Sequence, residues 1–447
     1  MYRQSLKQES ENPLSSPTTT LTEVARRARR HVALRLLPFV FLVYVVNYMD
    51  RVNVSFANLR MSADLGFSDK IYGLGVAIFY ISYVLFEIPG ALIVERWSAR
   101  KWIARIMISW GIVTIFTGFV HSATQFYAAR FFLGLAEASF FPGMIIYLTH
   151  WFCARDRSRA IACLYTAVPT ASLIGAPIAG QLLGVQWLHL AGWRWLFIAE
   201  GIPAVILGVI TIFYLTDWPA EAGWLPADER EWLIKQLDAE LHAKKKSRDH
   251  TILEAFQDTK ILGLIASWFL ALSGFLGSIY FLPTVVKRLS SLPNREVTTL
   301  LIIPALIGMA GTLINGWHSD KTSERRWHTA IPVLAAGLMY GLAFLAPYHA
   351  FLTIAFLLLG SGFFYAYQPT FWAIPTLILS ESAAAATFGL INMVGQLGGI
   401  LGPYAVGFLN DRTHALSAGF AFIALSFIAS GSVILLLKIH NPLEDHV

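Results

Sequence analysis

The sequence predicts an all-α polytopic membrane fold of twelve transmembrane helices, and three observations predict it. Hydrophobic residues fill 56% of the 447 positions and charged residues only 14%, well below the roughly 25% of soluble domains. About twenty apolar residues cross the ~30 Å hydrocarbon core, and twelve stretches reach that length. None alternates with the period of two that marks a barrel strand, and lipid admits only helices and closed barrels.

Taken in order, residues 1–31 are rich in Ser, Thr, Gln and Glu, end in Arg26, Arg27, Arg29 and Arg30, and read as a disordered cytoplasmic tail. Span one, 33–57, runs into Asp50 and Arg51 with no small-residue cleavage site, so it is a retained span rather than a secretory signal. Spans two and three, 70–94 and 102–120, flank a charged loop with Glu95, Arg96, Arg100 and Lys101. Span four, 124–150, carries Arg130 and Glu137 inside its apolar run. Span five, 158–185, holds Gly175, Pro177 and Gly180, and span six, 194–215, holds Glu200. A polar stretch follows, with a helix-like segment at 228–241 and then Lys244, Lys245 and Lys246. Spans seven to twelve, at 261–286, 297–318, 329–347, 350–377, 384–409 and 416–438, carry almost no charge.

The polar stretch divides the chain six plus six: an N-terminal six-helix bundle over 32–216, a cytoplasmic linker over 217–260 and a C-terminal six-helix bundle over 261–440. The charged loop after span two recurs after span eight as Asp320, Lys321, Arg325 and Arg326, at an offset of 225. Gly175, Pro177 and Gly180 recur as Gly402, Pro403 and Gly407 at nearly the same offset, so the halves read as a duplicated, pseudo-symmetric pair. Basic residues of the short loops concentrate on the side of the tail, which places both termini in the cytoplasm of a multi-pass inner (cytoplasmic) membrane protein. Cys153 and Cys163 fall on that reducing side, so no disulfide and no metal site is expected. The excess of Lys and Arg, 34 against 28 acidic residues, is scattered among loops and does not form a nucleic-acid surface.

Charges inside the spans mark function, because a charge at a helix centre costs about 2.5–3.5 kcal/mol even on lenient insertion scales. Seven residues separate Arg130 from Glu137, nearly two turns, so the two share a face about 10 Å apart. Desolvation and a nearby arginine act on the Glu137 carboxyl in opposite senses, so its proton occupancy depends on what else binds. Asp50 lies at the depth of Arg130; Arg130 either pairs with it or snorkels to the surface. Arg51 offers a planar fork that matches a carboxylate, or sits at headgroup level. In the second half the candidates are neutral: Tyr280, Gln368, Trp372, Asn392 and Gln396, with Asn392 foremost because its amide both donates and accepts. Glu95, Arg96, Arg100, Asp320 and Arg325 read either as solvated loop charges or as a gate at the cytoplasmic mouth.

The loop Glu95-Arg96-Trp97-Ser98-Ala99-Arg100-Lys101 and the pair Arg130 and Gly134 resemble signatures of the major facilitator superfamily, with Glu95 in place of the usual Asp. Asn47-Tyr48-Met49-Asp50-Arg51, Pro89-Gly90 and Arg130 to Gly143 are similar to its anion:cation symporter branch, which carries tartrate, galactonate, phthalate and hydroxyphenylacetate. The resemblance implies proton coupling at Glu137, pairing of Arg130 with Asp50 and substrate contact at Tyr83; the residues themselves add Asp50 as a proton-coupling candidate and Arg51, Arg130, Tyr48 and Asn392 as substrate-binding candidates.

The resulting expectation is a secondary active transporter for symport of a small organic carboxylate with protons, by alternating access. Exchange of anions without net protons is the alternative, on the strength of the Gly175 to Gly180 cluster. No phosphate-binding loop and no His-Glu-x-x-His motif is present, so neither an ATP-driven pump nor a zinc enzyme is expected. Mixed charges confined to one half do not form the rings a channel needs. No cofactor or catalytic residue is expected; the partners are the anion, protons and the lipid bilayer, and the carrier is expected to act as a monomer.

Overall fold

A computed structural model describes residues 17–244, 258–346, 348–378 and 381–437, and no strand occurs among them. The first half comprises α1 (Pro17–Leu65), α2 (Asp69–Arg96), α3 (Ala99–Thr117), α4 (Ala123–Glu137), α5 (Phe140–Trp151), α6 (Ala154–Leu182) and α7 (Gly192–Tyr214). A linker helix, α8 (Ala227–Lys244), separates it from α9 (Thr259–Ser290), α10 (Asn294–Leu300), α11 (Ile302–Thr322), α12 (Arg326–Leu345), α13 (Ala350–Ile378), α14 (Glu381–Gln396), α15 (Gly398–Thr413) and α16 (Leu416–Leu436).

These helices make twelve crossings among the described residues, because α4 with α5, α10 with α11, and α14 with α15 each form one broken span. Ten are long and apolar enough to cross a membrane by length and composition. The third, α3, carries Arg100, Lys101 and Arg105 in its first two turns, and the eleventh is interrupted at Leu397, so each departs from an unbroken apolar cylinder. Serine caps start several spans: Ser68, Ser98 and Ser122 accept the Ile71, Lys101 and Gln125 amides that a helix start leaves unpaired.

One expectation is corrected at the N-terminus. Residues 17–31 are not an unstructured tail but the first turns of α1. Their charges find partners there: Arg27 pairs with Asp228 at 2.7 Å, His31 with Glu229 at 2.6 Å, and Arg29 with Asp156. The linker helix supplies two of those acids, so it docks on the start of α1. The end of the bundle bearing α8 is called the linker end below, and the other the far end. Residues 1–16, 245–257 and 438–447 of the expected tail, linker and second bundle lie outside the described residues.

Candidate functional site

Tyr44, Asn47, Tyr48 and Arg51 recur on one face of α1 at spacings of three and four, while Asp50 and Asn53 turn to the neighbouring face. Arg51 donates to Oε1 of Glu137 through Nε at 2.9 Å and a terminal nitrogen at 2.5 Å, and Asn47 Nδ2 donates to the same oxygen at 2.8 Å. The guanidinium lies 5.0 Å from the Tyr83 ring centre, an arrangement that favours a cation over the aromatic face. Glu137 is wholly buried, and its Oε2 has no hydrogen-bond partner. Both charges are removed from water and depend on each other, although 15% of the Arg51 side chain remains exposed against 1% for Glu137.

A break in the fourth span puts the acid there. Glu137 ends α4, Ala138 turns extended with ψ 140, and Ser139 takes the left-handed φ of 65 before α5 resumes. Glu137-Ala138-Ser139 carry no break signal themselves, but Pro142 does, because its ring clashes with the carbonyl four residues back, that of Ala138, in an unbroken helix. Gly134, one turn earlier, admits α2: a Cβ on it would stand 2.2 Å from the Phe79 carbonyl oxygen.

Arg130 is buried completely, so it does not snorkel, and none of its three nitrogens has a hydrogen-bond partner. Its guanidinium lies 4.6 Å from the Phe79 ring centre. The expected pairing with Asp50 is not formed. Asp50 accepts instead from Thr114 Oγ1 on α3 at 2.9 Å and from Asn53 Nδ2 at 3.0 Å, and Glu200 on α7 lies close enough to sense its charge. Consecutive helical residues diverge by about 100°, so Arg51 meets α2 and α4 while Asp50 meets α3 and α7. Sequence depth alone does not resolve those directions.

The second half reaches the site through Tyr280 on α9, whose hydroxyl donates to the Arg51 carbonyl at 3.2 Å and lies 3.1 Å from the Tyr80 hydroxyl. Tyr48 faces Tyr365, Tyr280 and Arg51, and Tyr83 is buried beneath the Arg51 guanidinium. Asn392 is half-buried on α14, with no hydrogen bond among the described residues. Trp372 belongs to an aromatic group, 5.0 Å from the Trp268 ring and 5.4 Å from Phe388. Asn47, Tyr80, Thr114 and Asn53 are site residues that sequence reasoning missed; the i, i+4 spacing of Asn47 and Arg51 was the available signal for the first.

At the far end the halves are joined. Arg288 on α9 forks onto Asp69 at 2.7 and 2.5 Å, Asn410 reaches the same carboxylate at 3.3 Å, and Asp411 accepts the Asp69 and Lys70 amides at 3.1 Å each. At the linker end the described ion pairs do not join the two halves. Asp320 pairs with Arg325 at 2.5 Å within one loop, and Arg100 turns to Asp217, 3.8 Å away, rather than across the mouth. The side chains of Glu95 and Arg96 lie outside the described residues. The bundle is closed at its far end in this conformation.

Comparison with known proteins places this geometry. The family model described as Major Facilitator Superfamily matches residues 40–403. The chain is 42% identical over 424 residues, 94% of its length and 97% of the relative's, to a "putative tartrate transporter" of Agrobacterium vitis. It is 35% identical to the "putative metabolite transport protein NicT" of Pseudomonas putida, covering 95% of this chain and 98% of that one. Among solved structures, an inward-facing bacterial homolog of the human lysosomal transporter Spinster superposes with a TM-score of 0.71 at 20% identity, covering 92% of this chain and 95% of that one. That likeness concerns the fold.

Proposed function

The chain belongs to the major facilitator superfamily and is a multi-pass membrane transporter, and from that premise we propose that it carries a small organic carboxylate anion inward with protons. Its family and relatives are transporters rather than enzymes. The observation that carries the proposal is the single Glu137 oxygen held by Arg51 and Asn47 in a buried site.

The argument is energetic. Removing one member of a buried ion pair leaves the other uncompensated, at about 3–5 kcal/mol. A proton on Glu137 removes the charge that holds Arg51, and at that cost the arginine does not remain alone. A substrate carboxylate supplies the replacement anion, matching the guanidinium fork. Protonation and anion binding then favour each other, because each restores what the other disturbs. Arg130, a second buried guanidinium without a hydrogen-bond partner, gives a second anchor for a polar or dianionic cargo. Asp50, with Thr114 and Asn53 around it, is a second candidate for proton traffic. Tyr280 ties the pair to the opposite half, so a change at Arg51 is felt across the interface on which the halves rock.

The substrate class draws on the tartrate and metabolite carriers among the relatives. In this reading the linker end faces the cytoplasm of a bacterial inner membrane, both termini lie on that side, and the carrier acts as a monomer. The two six-helix units, 32–216 and 261–440, are its rocking bodies. Two proteoliposome assays test it: counterflow of labelled anion into vesicles preloaded with a carboxylate such as tartrate shows a carrier, and alkalinisation of the outside medium when the anion is added to empty vesicles supports symport. Counterflow in loaded vesicles with neither net uptake nor proton movement in empty ones overturns proton coupling and leaves exchange.

A further inference from the structure

The break that delivers Glu137 to Arg51 is fastened from outside its own helix. Ser139 is fully buried, and its φ of 65 is a conformation that a side chain larger than glycine's adopts rarely unless neighbours hold it. Its hydroxyl donates back to the Ala138 carbonyl and accepts from the indole N–H of Trp102 at 3.2 Å. Gly90 of α2 makes the room: a Cβ there would stand 2.1 Å from the Ser139 hydroxyl oxygen. Three spans therefore meet at this one residue.

Trp102 is itself anchored. It lies on the first turn of α3, where Ser98 caps the Lys101 amide and donates to Asp217 at 2.6 Å, and where the Arg100 amide donates to Asp217 at 2.8 Å. The Arg105 guanidinium lies 4.0 Å from its ring centre and holds the indole plane. The loop between α2 and α3 is thus a fixed point from which one N–H reaches the break.

We propose that Ser139 and Trp102 are positioning residues for Glu137, forming a latch that holds the broken fourth span where the acid meets Arg51 and Asn47. The inference rests on the reading of Glu137 as the proton-carrying acid, but its geometry is independent of whether protons move with the cargo. With the latch open, Pro142 still keeps the span broken, but the angle between α4 and α5 is no longer fixed, and Glu137 rotates off the Arg51 fork. The groups that face Glu137 and set its response are Tyr44, Asp50 and Arg51 on α1, Tyr83 on α2 and Tyr280 on α9, with Arg130 two turns back on its own helix. Of these only Arg51 bonds the carboxylate, so opening the latch parts the acid from that charged partner.

The test is a pH titration of the carboxylic C=O stretch by infrared difference spectroscopy on the full-length protein in nanodiscs, with Glu137→Gln identifying the band. Trp102→Phe keeps the ring and removes the N–H; Ser139→Gly keeps the left-handed backbone and removes the hydroxyl. Each is expected to move the midpoint by roughly half to one pH unit, the scale of one net hydrogen bond. Trp97→Phe, on the exposed ring beside Trp102, is expected to leave it in place. Midpoints equal to wild type in both latch variants overturn the proposal, as does a wild-type spectrum with no band that Glu137→Gln removes. Proton movement during transport is measured separately, so failure of symport and failure of the latch are told apart.

Discussion

Arg51 and Glu137, 86 positions apart in the chain, share a single carboxylate oxygen: Oε1 takes both guanidinium contacts, at 2.9 and 2.5 Å, while Oε2 takes none. The asymmetry leaves one oxygen of a buried carboxylate for a proton without first dissolving the ion pair.

Arg51→Lys keeps the charge and loses the fork. Hydrogen bonds to charged groups are worth about 1.5–3 kcal/mol, so the half-saturation constant for carboxylate is expected to rise roughly ten- to hundredfold. Initial-rate uptake against substrate concentration measures it; an unchanged constant removes Arg51 from the binding site.

Asp69→Asn removes the charge that Arg288 grips at the far end. Arg288 is 45% exposed, so the pair is discounted to about 1 kcal/mol, a roughly fivefold shift in population away from far-end closure. Spin-label distances between the far ends of α2 and α15 report it, and an unshifted distribution argues against a clamp.

Gly73 and Gly407 test the same closure by bulk rather than charge. A Cβ on Gly73 would stand 2.4 Å from the Pro403 carbonyl oxygen, and one on Gly407 would stand 2.3 Å from that of Asp69. Neither contact is with a flexible side-chain end, so the backbone must part. Gly73→Val is expected to hold the far end open and to slow transport at least tenfold while leaving the folded yield in the membrane near wild type. Wild-type turnover in this variant contradicts the closed geometry.

Much of this architecture was legible because hydropathy reports directly on membrane crossing. Buried charges were legible because burial is costly: Arg130, Glu137, Asp50 and Arg51 were all singled out, and all four lie inside the bundle. Their partnerships were not. Asp50 and Arg51 share a depth, yet the helical turn between them sends one toward Thr114 and the other toward Glu137. The break at Ala138 and Ser139 has only Pro142, four residues past Ala138, to announce it, and contacts from Trp102 add to local propensity in holding its geometry. The contact of Asp69 with Arg288 joins positions 219 apart, and no short-range pattern records it.

Outside the spans, burial first, then Glu240 and Asp156, push the Cys153 thiol up to about 11. Its reactive thiolate is therefore scarce at neutral pH and increases about tenfold per unit until the pH nears that value. Maleimide labelling at pH 7.5 is expected to be slow and to accelerate tenfold by pH 8.5. A pH-independent rate would show that access, not ionisation, limits the reaction.

The most direct test replaces Glu137 with Gln and asks two things of the same proteoliposomes. Exchange of labelled carboxylate across the membrane is expected to continue, because Arg51 is freed for the anion, while accumulation driven by an inward proton gradient is expected to fall to equilibration. Uphill accumulation that survives in Glu137→Gln would contradict the account at its centre.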